Sequence, residues 1–87
     1  MKVLVVEDDA ALRAALLELL HGWGYALAYA ADGPSALAIS EREPIDLVLL
    51  DMSLPGCDGL TVCRELRRRS GHQPLVLMLT ARDTSAD

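Results

Sequence analysis

Val3-Leu4-Val5-Val6-Glu7-Asp8-Asp9 and Asp46-Leu47-Val48-Leu49-Leu50-Asp51 decide how this chain folds. Each is a short apolar run that ends abruptly in carboxylates. The second shows no alternation at all, which suits a strand buried on both faces of a parallel sheet. Amphipathic stretches separate these runs. Leu12, Ala15, Leu16, Leu19, Leu20 and Trp23 recur three or four residues apart, which makes one face of a helix. Asp9 is placed to cap its start, and Gly22 or Gly24 to end it. Tyr25 to Ala30 reads as a second strand. Asp32-Gly33-Pro34-Ser35 is helix-start chemistry, with Pro34 suited to a first turn. Ala36, Leu37 and Ser40 give the next helix a small-residue face, and Pro44 stops it.

Beyond Asp51 comes a turn, Leu54 to Gly59. Asp58 is placed to cap a third helix that carries Leu60, Cys63 and Leu66 inward. Arg64, Arg67, Arg68 and Arg69 lie on its other face and make up half of the 8 basic residues. Cations near a helix C-terminus complement the dipole, so a solvated face is the plainer reading. Leu75 to Leu79 is a fourth strand, closed by Thr80, and Asp83 to Asp87 approaches another helix. Strands that alternate with helices predict an α/β fold with a doubly wound parallel sheet and right-handed crossovers.

Composition narrows the function. The 87 residues fit one small domain, and 52% hydrophobic content suffices for a core. Thirteen acids against 8 bases give a net charge of −5, which argues against direct nucleic-acid binding. No apolar run approaches the roughly 20 residues that span a bilayer. Met1-Lys2 leads straight into a short strand without a signal-peptide core, so a cytoplasmic chain with no membrane partner is expected. Cys57 and Cys63 are too few for a disulfide framework, and His21 and His72 stand apart from them.

The chemistry lies in where the acids fall. Strand ends in a parallel sheet share one edge, where ligands bind. If the first and third strands are neighbours, Glu7, Asp8 and Asp51 converge there. Three carboxylates in one pocket repel, and each would favour neutrality. A divalent cation removes the conflict, and oxygen donors with water suit magnesium. A carboxylate beside that cation becomes able to accept a phosphoryl group, and the Thr80 hydroxyl is placed to donate to it.

The chain resembles the receiver domain of two-component response regulators. The matching pieces are Val3 to Asp9, Asp32-Gly33, Asp46 to Asp51, Leu54-Pro55-Gly56-Cys57-Asp58-Gly59 and Leu79-Thr80-Ala81-Arg82. The Glu7-Asp8 pair and Thr80-Ala81-Arg82-Asp83 look most like the branch that carries a winged-helix DNA-binding domain. The resemblance implies a flavodoxin-like fold with strand order 2-1-3-4 and about three helices over residues 1–87. It implies Asp51 as acceptor of a phosphoryl group from a sensor histidine kinase. It implies a Mg2+ (or Mn2+) site of Glu7, Asp8, Asp51 and the Ser53 backbone carbonyl. Thr80 and Ala81 match the phosphoryl-binding switch positions, and Ser53 and Arg82 the positions that tune phosphoryl lifetime.

The family pattern continues past this sequence. Most of the fourth helix, the fifth strand with its lysine and aromatic switch residue, and the fifth helix have no counterpart here. Lys2 is the only lysine and sits away from the site edge, so no residue takes the catalytic lysine's role. The fourth strand is then expected to be an open apolar edge, prone to self-association or element swapping, with impaired switching. DNA contact is expected only through an output domain absent here. Two other classes compete. A haloacid-dehalogenase-like aspartyl-phosphate hydrolase wants an acid two residues after its nucleophile, where Asp51 has Ser53. A structural or assembly element would use the fold without phosphorylation.

Overall fold

The computed structural model describes residues 1–51, 59–68 and 74–79. The order is β1 (Lys2–Val6), α1 (Ala10–Gly22), β2 (Ala26–Ala30), α2 (Gly33–Arg42), β3 (Leu47–Asp51), α3 (Gly59–Arg68) and β4 (Leu75–Leu79). The four strands form one sheet in the order β2-β1-β3-β4. All three pairings are parallel, with Val6 opposite Ala30 on one side and Leu50 on the other. The doubly wound topology and strand order expected from the sequence are therefore present. No helix among the described residues is long and apolar enough to cross a membrane.

Local chemistry explains the helix boundaries. The Asp9 side chain accepts hydrogen bonds from the Ala11 and Leu12 amides at 2.9 and 3.2 Å and starts α1. Past its end, Gly24 takes φ +89°, a left-handed conformation that favours glycine. Asp32 caps α2 through the Ser35 amide at 2.7 Å. Glu43 turns extended ahead of Pro44, whose ring disfavours a helical predecessor.

The core lies on both faces of β1, whose Val3 to Val6 are fully buried. Val3 and Val5 pack with Leu20 under α1. Leu4 and Val6 pack with Ala36, Ile45, Val48, Leu50, Val62 and Leu66 under α2 and α3. Burying each of these Val, Leu and Ile side chains contributes about 1.5–3 kcal/mol. This two-sided cover is why the run in β1 is apolar at successive positions, while on β3 Leu47 and Leu49 are only half-buried.

Three expectations are corrected or refined. Leu60 is 54% exposed rather than inward, because the inner face of α3 runs Gly59, Val62, Cys63 and Leu66. Those positions follow i, i+3, i+4, i+7 from Gly59, and Leu60 stands one step off. On α1, Leu12 and Leu19 face outward, as does Trp23 at its C-cap, while Leu16, Leu17 and Leu20 meet the sheet. The α1 apolar arc is wider than the surface that β1 and β2 offer it. On β4, Val76 and Met78 join the core, but Leu75 and Leu77 are 69% and 55% exposed on the α1 side. Cys63 is a half-buried free thiol. The Leu54–Gly59 turn before Gly59, Cys57, the Asp58 cap, Arg69, His72 and Asp83–Asp87 lie outside the described residues.

Candidate metal centre

Glu7 and Asp8 follow β1, and Asp51 ends β3. Because β1 and β3 are parallel neighbours with Val6 opposite Leu50, these acids meet at one sheet edge. One carboxylate oxygen from each of Glu7, Asp8 and Asp51 lies within 4.8 Å of the others. Glu7 and Asp51 are buried, at 3% and 2% exposure, while Asp8 is open to solvent. The site sits beside β1, where the chain passes from the β2 side to the β3 side, the usual crevice of such sheets.

The β1–α1 turn is tightly held. The Glu7 amide donates to the Ala30 carbonyl at 3.0 Å, which ties the turn to β2. The Asp9 amide donates to Glu7 Oε2 at 3.1 Å. Arg13 reaches back from α1 and donates through Nη1 to the Glu7 carbonyl at 2.8 Å. Its guanidinium lies 5.5 Å from the Tyr29 ring centroid.

Electrostatics follow from this crowding. Burial pushes the Glu7 carboxyl above its ordinary 4.5, and the Asp51 and Asp8 carboxylates push the same way. The Asp9 amide works against them by hydrogen-bonding the ionised form. A buried carboxylate with two acidic neighbours is a donor that gains from a cation. The set is all hard oxygen, and the exposed side at Asp8 leaves room for water ligands. These residues fit Mg2+, which binds through few carboxylates and keeps part of its hydration shell.

Sequence reasoning anticipated the three acids, and the fold brings all three together. Ser53, Thr80, Ala81 and Arg82 lie outside the described residues. Arg13 was missed. The one available signal was an arginine four residues past the acidic run at the start of a largely apolar helix, the only arginine before Arg42. Nothing in the sequence pattern says that it folds back on the acidic turn.

Comparison with known proteins agrees with this geometry. Residues 3–87 match the sequence profile of the response regulator receiver domain. The sensory transduction protein RegX3 of Mycolicibacterium smegmatis is 48% identical over 85 residues, covering 98% of this chain and 36% of that protein. The DNA-binding response regulator MtrA of Mycobacterium leprae is 49% identical over 87 residues, covering 99% and 37%. The chain thus spans little more than a third of these relatives. Among solved structures, the BeF3-activated receiver domain of Klebsiella pneumoniae RstA superposes with a TM-score of 0.86 at 36% identity, over 97% of this chain and 70% of that one. The response regulator TrrA, in complex with the histidine kinase ThkA, gives 0.85 at 35% identity over 95% and 71%. Thermotoga maritima TrrA with Mg2+ and BeF gives 0.76 at 38% identity over 79% and 60%.

Proposed function

Because the chain belongs to the response regulator receiver domain family, we propose that Asp51 accepts a phosphoryl group from a sensor histidine kinase, with Mg2+ held by Glu7, Asp8 and Asp51. The observation that carries this reading is the convergence of three carboxylates within 4.8 Å at the end of β1 and β3. Bound Mg2+ would supply positive charge that offsets the incoming phosphoryl group. Asp51 supplies the nucleophile. Its carboxylate oxygen bonds to phosphorus as the bond from phosphorus to the kinase's histidine nitrogen breaks, and that nitrogen keeps the electron pair. The product is an acyl phosphate on Asp51. Glu7, anchored by the Asp9 amide, holds one side of the cation site, and Asp8 holds its solvent side.

The wider assignments rest on the family resemblance. They are the Ser53 carbonyl as a further metal ligand, Thr80 and Ala81 at the phosphoryl group, and Ser53 and Arg82 as tuners of its lifetime. TrrA's complex with a histidine kinase supports a kinase partner. The net charge of −5 supports leaving DNA contact to another part of the intact protein, as in a regulator of MtrA's kind. The cytoplasm is the matching compartment.

A second reading concerns assembly. Leu75 and Leu77 are exposed beside the half-buried Leu47 and Leu49 on the same sheet face. An apolar face of this kind favours self-association of the 87-residue chain. Native mass spectrometry after incubation with Mg2+ and acetyl phosphate tests both readings. One phosphoryl group per chain is expected, absent in Asp51→Ala and without Mg2+. A folded chain that takes up no phosphoryl group would overturn the phosphoacceptor reading and leave the assembly reading, which predicts dimers in the same spectrum.

A further inference from the structure

We propose that Arg13 is a positioning residue for the cation site, acting through the peptide unit between Glu7 and Asp8. The proposal rests on the metal reading above. Its basis is one hydrogen bond and one stack. Arg13 Nη1 donates to the Glu7 carbonyl at 2.8 Å, and the guanidinium lies over the Tyr29 ring at 5.5 Å. That carbonyl belongs to the peptide plane that joins two of the three clustered acids. A peptide unit is rigid, so holding its oxygen sets ψ of Glu7 and φ of Asp8 together. Those two torsions decide where both carboxylates leave the backbone.

Two further backbone restraints among the described residues act elsewhere. The Glu7 amide is fixed to Ala30, and the Glu7 carboxylate to the Asp9 amide. Neither holds the Glu7–Asp8 peptide plane itself. Arg13 has its own anchors. Its backbone amide donates to the Asp9 carbonyl at 2.8 Å in the first turn of α1. The Tyr29 ring on β2 confines the guanidinium from the side. Among the described residues no carboxylate lies within ion-pair distance of the guanidinium. Its hydrogen bond therefore goes to the backbone of the acidic turn and does not neutralise a donor. This is the chemistry of an outer partner that orients metal ligands and leaves their charge free for the ion.

The test measures Mg2+ binding directly, by calorimetry on the full chain, beside urea stability without metal. Arg13→Met keeps the length and removes the donor. It should weaken Mg2+ binding about tenfold, in the range found when such outer partners are lost. Arg13→Lys keeps a donor and a charge and should recover most of that loss. Ile45→Val, a buried site remote from the turn, supplies a control with lowered stability, and its Mg2+ affinity should stay at the wild-type value. Tyr29→Leu removes the stack alone and should give a smaller loss than Arg13→Met. It also carries the test if Arg13→Met fails to fold. Arg13→Met binding Mg2+ as tightly as wild type, or Tyr29→Leu doing so where Arg13→Met does not fold, would overturn the role of Arg13 and leave the metal site standing. Wild type that binds no Mg2+ would overturn the metal reading and this proposal with it.

Discussion

Replacing Asp51 with Asn should make the metal-free protein more stable while removing its chemistry. Glu7, Asp8 and Asp51 hold oxygens within 4.8 Å of one another, and two of the three side chains are buried. At 4.8 Å a pair of unit charges repels by about 0.9 kcal/mol at the dielectric of water and about 3.5 kcal/mol at an effective dielectric of 20. Glu7 relieves part of this by holding its proton more tightly, so each pair contributes no more than the low end of that range. Asp51→Asn removes one charge from two such pairs and keeps the size of the side chain. A gain of about 1–2 kcal/mol is expected near neutral pH and low salt, which for a domain of this size is a rise of about 4–16 °C in Tm. Urea unfolding with and without Mg2+ is the assay. Mg2+ at a hundredfold excess over its Kd should stabilise wild type by about 2.7 kcal/mol and the variant by much less. A variant less stable than wild type without metal would refute the repulsion argument. Equal Mg2+ stabilisation of both would refute the assignment of Asp51 as a ligand.

Further tests address the scaffold around the site. Leu50→Ala, at a fully buried position one residue before Asp51, should cost about 2–5 kcal/mol in urea unfolding. Leu77→Ala, on the exposed face of β4, should change stability by no more than about 0.5 kcal/mol. Asp9→Ala removes the acceptor for the Ala11 and Leu12 amides and should cost about 1 kcal/mol, read by thermal unfolding. The fourth test concerns the far end of β1, where Lys2 pairs with Glu43. The hydrogen bond from Lys2 holds the Glu43 carboxyl below its ordinary 4.5. Its contribution is therefore present above 4.5 and lost as pH falls through the lower folded-state value. Lys2→Met should flatten that part of the acid limb of the stability profile, and an unchanged limb would refute the pairing's role.

Much of the molecule was legible before folding. The non-alternating runs at Val3–Val6 and Leu47–Leu50 announce strands covered on both sides; β1 is covered so, while on β3 Val48 and Leu50 are buried and Leu47 and Leu49 are half-buried. The caps at Asp9 and Asp32 and the break at Pro44 are local chemistry, settled within a few residues of each boundary. Leu60 was misread for a related reason. Periodicity gives a face, but its phase is set by packing, and here Gly59, Val62 and Leu66 are the buried positions.

What the sequence by itself determined is the inventory and the spacing. Strand, helix and acid alternate so that carboxylates stand at strand ends, because local propensity and hydrophobic period act over short distances along the chain. The tertiary structure decided which strand ends become neighbours. The parallel pairing of β1 with β3 brings Asp51 to Glu7 and Asp8 across more than forty residues of intervening chain. The tertiary structure also turned Arg13 back onto the Glu7 carbonyl and left Leu75 and Leu77 uncovered. The meeting of the acids and the uncovered leucines depend on packing between distant segments, and the Arg13 placement, only six residues from Glu7, depends on β2 bringing Tyr29 alongside it.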